Sequence, residues 1–147
     1  HHMSFFLVDY NLIFTGDSAG MFFEEVGAAL PATPPPFFVE AYLNSLEKMS
    51  SASPAYAALT HNVIVEWSTY YRMHKKQISL WMNVIERLVE EGIQDDITKI
   101  LEELSKEDEN IKRLLEKGLE LHKQSILHSI KGVLEYITSR RQGPRIK

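Results

Sequence analysis

The residues able to do chemistry in this chain are six histidines, twenty carboxylates and the usual hydroxyls, with no cysteine among 147 positions. Without cysteine there is no thiolate metal site, no cysteine nucleophile and no disulfide framework. A carboxylate-bridged di-metal centre on helices needs Glu-x-x-His pairs, and no Glu here is followed three residues later by His. The His-Glu-x-x-His zinc motif is absent, as are a glycine-rich phosphate loop and the strand-turn-helix setting of a hydrolase serine. His74 and His122 fall on apolar stripes and are expected to be buried imidazoles bonded to a carbonyl or a Tyr hydroxyl; His61 and His128 are expected at the surface. This inventory predicts a protein that is not an enzyme and holds no cofactor and no metal.

What remains is binding chemistry, and the charge layout suggests where. The net charge of -4 is distributed as about -3 over residues 1–85, -6 over 86–120 and +5 over 121–147. The acidic block, with Glu90, Glu91, Asp95, Asp96, Glu102 and Glu103 at its centre, is the first candidate contact surface for a protein partner. A second is the aromatic start of the chain, through Phe5, Phe6, Phe22 and Phe23. The basic end, through Arg140, Arg141, Arg145 and Lys147, is the candidate nucleic-acid contact of an alternative reading.

The elements that would position these residues read as helical. His1 and His2 before Met3 look like a tag remnant. Residues 3–36 form an N-terminal arm: an aromatic stretch, turn chemistry at Thr15-Gly16-Asp17-Ser18, a short helix through Met21–Val26, and a stiff spacer at Pro34-Pro35-Pro36. From Phe37 the body shows helical periodicity. Ser53-Pro54 resembles a helix start, and Tyr56, Leu59, Val63, Trp67, Tyr70, His74, Ile78, Trp81, Ile85 and Leu88 follow at steps of three and four. Gly92 closes that helix, a capping box at Ser105–Asp108 opens the next, and a last stripe runs from Ile111 to Ile137. Gly118, Ser125, Gly132 and Ser139 recur every seven residues, which suggests a close backbone approach along the last helix. The expected fold is all-α: an elongated antiparallel bundle of about four helices over residues 37–140, with spine helices from Pro54 to Glu91 and Asp108 to Arg140, and a flexible basic tail at 141–147.

In type, though not in any motif, the cysteine-free helical make-up of residues 37–140 with its basic end resembles small bundle proteins of thermophilic archaeal viruses and the helical small subunits of CRISPR effector complexes. The resemblance carries over no functional residue. The expected function is a non-enzymatic protein-binding module, regulatory or assembly-related, docking its acidic tip into a basic channel of a machine such as a polymerase and so acting as an inhibitor. The alternative is a nucleic-acid-binding packaging or virion protein. Homo-oligomers fit either. No run of about 20 apolar residues is present to span a bilayer, so the expected location is cytoplasmic, or a virion.

Overall fold

The computed structural model describes residues 3–117 and 120–141, so the tag remnant and residues 142–147, with Arg145 and Lys147, lie outside the described residues. The chain is a mixed α/β protein, which overturns the all-α bundle. Strands β1 (Phe5–Leu7), β2 (Leu12–Gly16), β3 (Met21–Phe23) and β4 (Ala28–Leu30) are followed by helix α1 (Val39–Ser51). Then come β5 (Tyr56–Leu59), β6 (Val63–Glu66) and helices α2 (Trp67–Glu90), α3 (Ile97–Glu107), α4 (Glu109–Glu116) and α5 (Glu120–Arg141). The main sheet has the order β1-β2-β5-β6, and β3 and β4 form a separate hairpin.

Two expectations fail here for a common reason. The aromatic start is four strands in two antiparallel hairpins, not an arm with a short helix at Met21–Val26: β1 pairs with β2, β3 with β4, and β2 also pairs parallel with β5. The long helix from Pro54 does not exist in its first third. Ser53 sits at φ 52 beyond the end of α1, and the chain continues as β5, turns through His61 (φ 68) and Asn62 (φ 64), and returns as β6 before α2 begins at Trp67. Of the apolar positions spaced for a helix here, Leu59 and Val63 also fit a period of two while Tyr56 falls on the opposite face, and the β-branched run Val63-Ile64-Val65 favours the pleated surface. In β5 and β6 the buried residues Ala57, Leu59 and Val63 keep a period of two. Helix α2 is capped by Glu66, whose carboxylate accepts from Ser68 N at 2.9 Å and Thr69 N at 2.7 Å. Those bonds lower the Glu66 pKa to about 2.

The sheet has two unlike faces. Phe6, Ile13, Ala57 and Val65 are opposed across the four strands and face the core, which continues through Leu46 and Met49 of α1 into Trp67, Ile78, Trp81 and Ile85 of α2. The other face presents Phe5, Phe14, Ala58 and Ile64 in one row and Leu7, Leu12, Tyr56 and Glu66 in the next. Helices α2, α3, α4 and α5 pack on one another, and α4 also lies against β4. The second spine helix is divided into α4, which ends at Glu116, and α5, which begins at Glu120; Asp108 is the N-cap of α4, while α3 runs on through Ser105 to Glu107, so no helix opens at Ser105.

Asp108 is 3% exposed and accepts four hydrogen bonds. Its Oδ2 takes Trp81 Nε1 at 2.7 Å and Gln77 Nε2 at 2.8 Å, and its Oδ1 takes Asn110 N at 2.9 Å and Asn110 Nδ2 at 3.0 Å. Gln77 Nε2 also donates to Ala29 O at 2.9 Å, while Asn110 Oδ1 accepts from Ala29 N at 3.1 Å. Both backbone groups on the free edge of β4 are thereby satisfied. The proline segment is likewise tied down and is no free spacer: Ser129 Oγ donates to Pro31 O at 2.7 Å, and Thr33 Oγ1 donates to Ser129 O at 3.0 Å.

That seam explains Gly132. A Cβ there would lie 1.8 Å from Thr33 O, so the close approach is of a loop backbone onto α5, not of two helices. Gly118 of the same heptad lies outside the described residues. Gly132→Ala is expected to lower stability by about 2 kcal/mol, the order found for forcing a methyl into a packed interior, read as a lower urea midpoint at unchanged m. Gly92→Ala meets nothing within 4 Å and is opposed only by its φ of 78, so it should cost less.

Candidate functional site

In an open sheet with parallel strands, ligands bind outside the carboxyl ends of those strands, where the loops diverge and backbone polar groups are left over. Here the parallel pair is β2 and β5, joined by a crossover through the β3–β4 hairpin and α1, with Gly16 paired to Leu59 at its carboxyl end. The loop after β2 is Asp17-Ser18-Ala19-Gly20, one 3-10 turn between two glycines at φ 55 and φ 75. The loop after β5 is Thr60-His61-Asn62, a hairpin turn with two residues in the left-handed region. The loops touch, since Thr60 Oγ1 donates to Gly20 O at 3.5 Å. Asp17 and His61 are both exposed on them.

A layer of buried aromatic and polar groups fixes the first loop from below. Tyr70 Oη donates to Ala19 O at 2.7 Å. The Tyr70 ring stacks on His74 at 5.4 Å between centroids, and Tyr42 Oη and His74 Nε2 share a hydrogen bond at 2.8 Å. Gly20 is there because nothing larger fits: a Cβ would sit 2.6 Å from His74 Cε1 and 2.7 Å from Leu30 O. Burial pushes the Tyr42 hydroxyl well above its usual range, with Tyr70 and the Asp17 charge adding to the effect, and burial raises Tyr70 as well. His74 is lowered from 6.5 to about 3 by burial, against a smaller opposite pull from the Gln77 amide. It is a neutral structural imidazole. His122 has other neighbours: its ring lies 4.6 Å from that of Phe23, and its Nε2 lies 3.7 Å from Glu25 Oε1. Among the described residues no group of three or more His, Asp or Glu side chains is placed to hold a metal ion.

The surfaces expected from the charge pattern are mostly engaged within the chain. Glu90 pairs with Arg141 at 2.7 Å, Glu103 with Lys106 at 2.6 Å, and Asp96 Oδ1 caps α3 through Lys99 N at 2.9 Å. Glu91, Asp95 and Glu102 are exposed around the same end of the molecule. Arg140 lies over the Tyr136 ring at 5.6 Å. Phe5 is exposed, whereas Phe6, Phe22 and Phe23 are partly buried against the core. Asp17 and His61 were not singled out as a pair, because they are 44 positions apart and each looks like ordinary turn chemistry. The available signal was a short apolar run ending in a polar turn, twice: Leu12–Phe14 before Gly16-Asp17, and Tyr56–Leu59 before Thr60-His61-Asn62.

The chain is also similar in part to a known protein. The chain is 37% identical over 65 residues to a metallo-beta-lactamase fold-containing protein of the archaeon Sulfurisphaera tokodaii. That stretch is 44% of this chain and 23% of the relative, so the chain spans less than a quarter of the relative's length. A crystal structure of an archaeal metallo-beta-lactamase superfamily protein from Sulfolobus tokodaii aligns with a TM-score of 0.46 at 31% identity, over 53% of this chain and 29% of that one. No family model matches the chain. The similarity overturns the expectation of a non-enzymatic helical-bundle module, with its inhibitory acidic tip and its virion or packaging alternative. The relative is an archaeal protein described by its metallo-beta-lactamase fold, not a viral one. Among the described residues no helix is long and apolar enough to cross a membrane.

The buried imidazole has a measurable consequence. A histidine whose folded pKa lies below its unfolded value contributes stability above about 6.5 that is lost as pH falls towards 3. The carboxylates lowered in the fold, such as Glu66, begin to lose their contribution only below about 4.5. The melting temperature should therefore fall between pH 6.5 and 4.5, and His74→Gln should flatten that slope while lowering stability at pH 7. A slope unchanged in the variant would show that His74 does not carry it.

Proposed function

We propose that this chain is part of a hydrolase-type protein related to the metallo-beta-lactamase fold, with its reaction site at the carboxyl ends of β2 and β5. The observation that carries the proposal is the parallel pair itself: it brings Asp17 and His61 onto touching loops at one sheet edge, the place where open sheets bind their ligands. The similarity to a metallo-beta-lactamase fold-containing protein supports the reaction class, because proteins of that superfamily are usually hydrolytic.

The implied metal does not fit the described residues as a complete site, since no group of three donors is present among them. Asp17 and His61 offer one oxygen and one nitrogen donor of the kind such sites use, and further donors would have to come from beyond the described residues. What these two side chains do in the proposal is bind and orient. The Asp17 carboxylate accepts a proton from, or aligns, an attacking water, and the His61 imidazole holds a polar substrate group against it. The layer of Tyr42, Tyr70 and His74 fixes the loop so that Asp17 needs no reorganisation during reaction. A cytoplasmic setting belongs to the same proposal, supported by the absence of cysteine.

The test is hydrolysis of generic ester, thioester and β-lactam substrates, with and without added zinc. Turnover should fall by about 100-fold or more in Asp17→Asn and in His61→Asn, with the far-ultraviolet circular dichroism of the wild type retained; Asn at 61 keeps a residue that tolerates the left-handed backbone there. Hydrolysis that persists in both variants would refute the assignment. So would the lack of any hydrolysis under every condition.

A further inference from the structure

The outer face of the main sheet is apolar, flat and open. Phe5 is 59% exposed, Leu7 41%, Phe14 42%, Tyr56 51% and Ile64 61%, all on the side of the sheet away from the core. A sheet normally buries one face and wets the other with polar residues. Here the wetted face would carry aromatic and β-branched side chains. Taking about 200 Å² for a large side chain, these five residues leave about 500 Å² of apolar surface in water. Monomers rarely show a contiguous patch above a few hundred Å², and a stable interface takes about 800 Å² from each partner. No described segment of the chain packs on this face.

We infer that the face is an interface at which two copies of the chain pack sheet against sheet about a two-fold axis. Three observations favour a second copy. The apolar side chains alone supply over half of what each side of a stable dimer contributes. The two rows across the strands contain one charged side chain, Glu66, which sits at a corner with its carboxylate already bonded to the first turn of α2; self-apposition therefore sets no charged side chains within the apolar area against each other. And the surface is a regular pleat, which interdigitates with another pleat at about 10 Å in the aligned packing of sandwiches. The interface would lie on the opposite face of the sheet from α1 and would use neither Asp17 nor His61, so this inference stands or falls apart from the hydrolase proposal.

Sedimentation velocity on the 147-residue chain over a dilution series at micromolar concentration tests it. The expected result is a dimer that dissociates on dilution. In Phe14→Lys and in Ile64→Lys the dissociation constant should rise by about 100-fold or more, as for a charge buried without a partner, with the far-ultraviolet circular dichroism of the wild type retained. Ser79→Lys, on the exposed side of α2, should leave the dimer intact. Should a sheet variant fail to fold, hydroxyl-radical labelling of the wild type decides: Phe5, Phe14 and Tyr56 should be protected at high concentration and labelled at low. A monomer at every concentration overturns the inference and leaves the face for a sheet outside these residues. Dimers that survive both charged substitutions overturn it too, as does concentration-independent labelling or polydisperse aggregation without a dimer.

Discussion

Much of this structure hangs on one buried carboxylate. Asp108 receives the indole N–H of Trp81, the amide of Gln77 and two donors of Asn110, and through the last two it reaches both backbone groups of Ala29. Removing it would leave buried donors on α2 without acceptors and α4 without its cap, and unmet donors in an interior cost more than the bond itself gains. The same carboxylate thus sets where α2, α4 and the β3–β4 hairpin lie relative to one another. A cluster of purely apolar contacts would tolerate sliding by a turn; four directed bonds to one residue do not.

The hairpin's position in turn fixes the loop that carries Asp17. Leu30 O and the His74 ring crowd Gly20 so closely that only a glycine fits, and Tyr70 holds the preceding carbonyl of Ala19. The candidate site is therefore supported by α2 from beneath and by β4 from the side, while its exposed groups come from strand ends. This division puts the rigid, desolvated groups beneath the loop and the exposed ones at its surface. His74 serves the arrangement as a neutral imidazole hydrogen-bonded to Tyr42.

The charge pattern has a plainer meaning in the folded chain. The acidic segment and the basic last helix meet where Arg141 pairs with Glu90 at 2.7 Å, and within the acidic segment Arg87 pairs with Glu107 at 2.6 Å. These are exposed pairs, each contributing little to stability. They show that opposite net charges in separate parts of the sequence can be folded against each other instead of being reserved for a partner.

The sequence by itself determined the periodic helices. Apolar spacing marks α1, most of α2 and the last helix, because a helix buries one stripe and 3.6-residue periodicity is a local property. Burial of His74 was legible in the same way, from its place on the stripe. Tertiary structure decided the rest. Strands of three to five residues give too few positions for alternation to be told from helical steps, and their hydrogen bonds run to residues far away in sequence, as Leu12 to Tyr56 does. Whether Val63-Ile64-Val65 is the start of a helix or the return of a hairpin depends on β5 finding β2, a pairing that no local window contains. The site shares that dependence. Asp17 and His61 are turn residues in the linear text, and only the parallel pairing of the strands before them places them on touching loops.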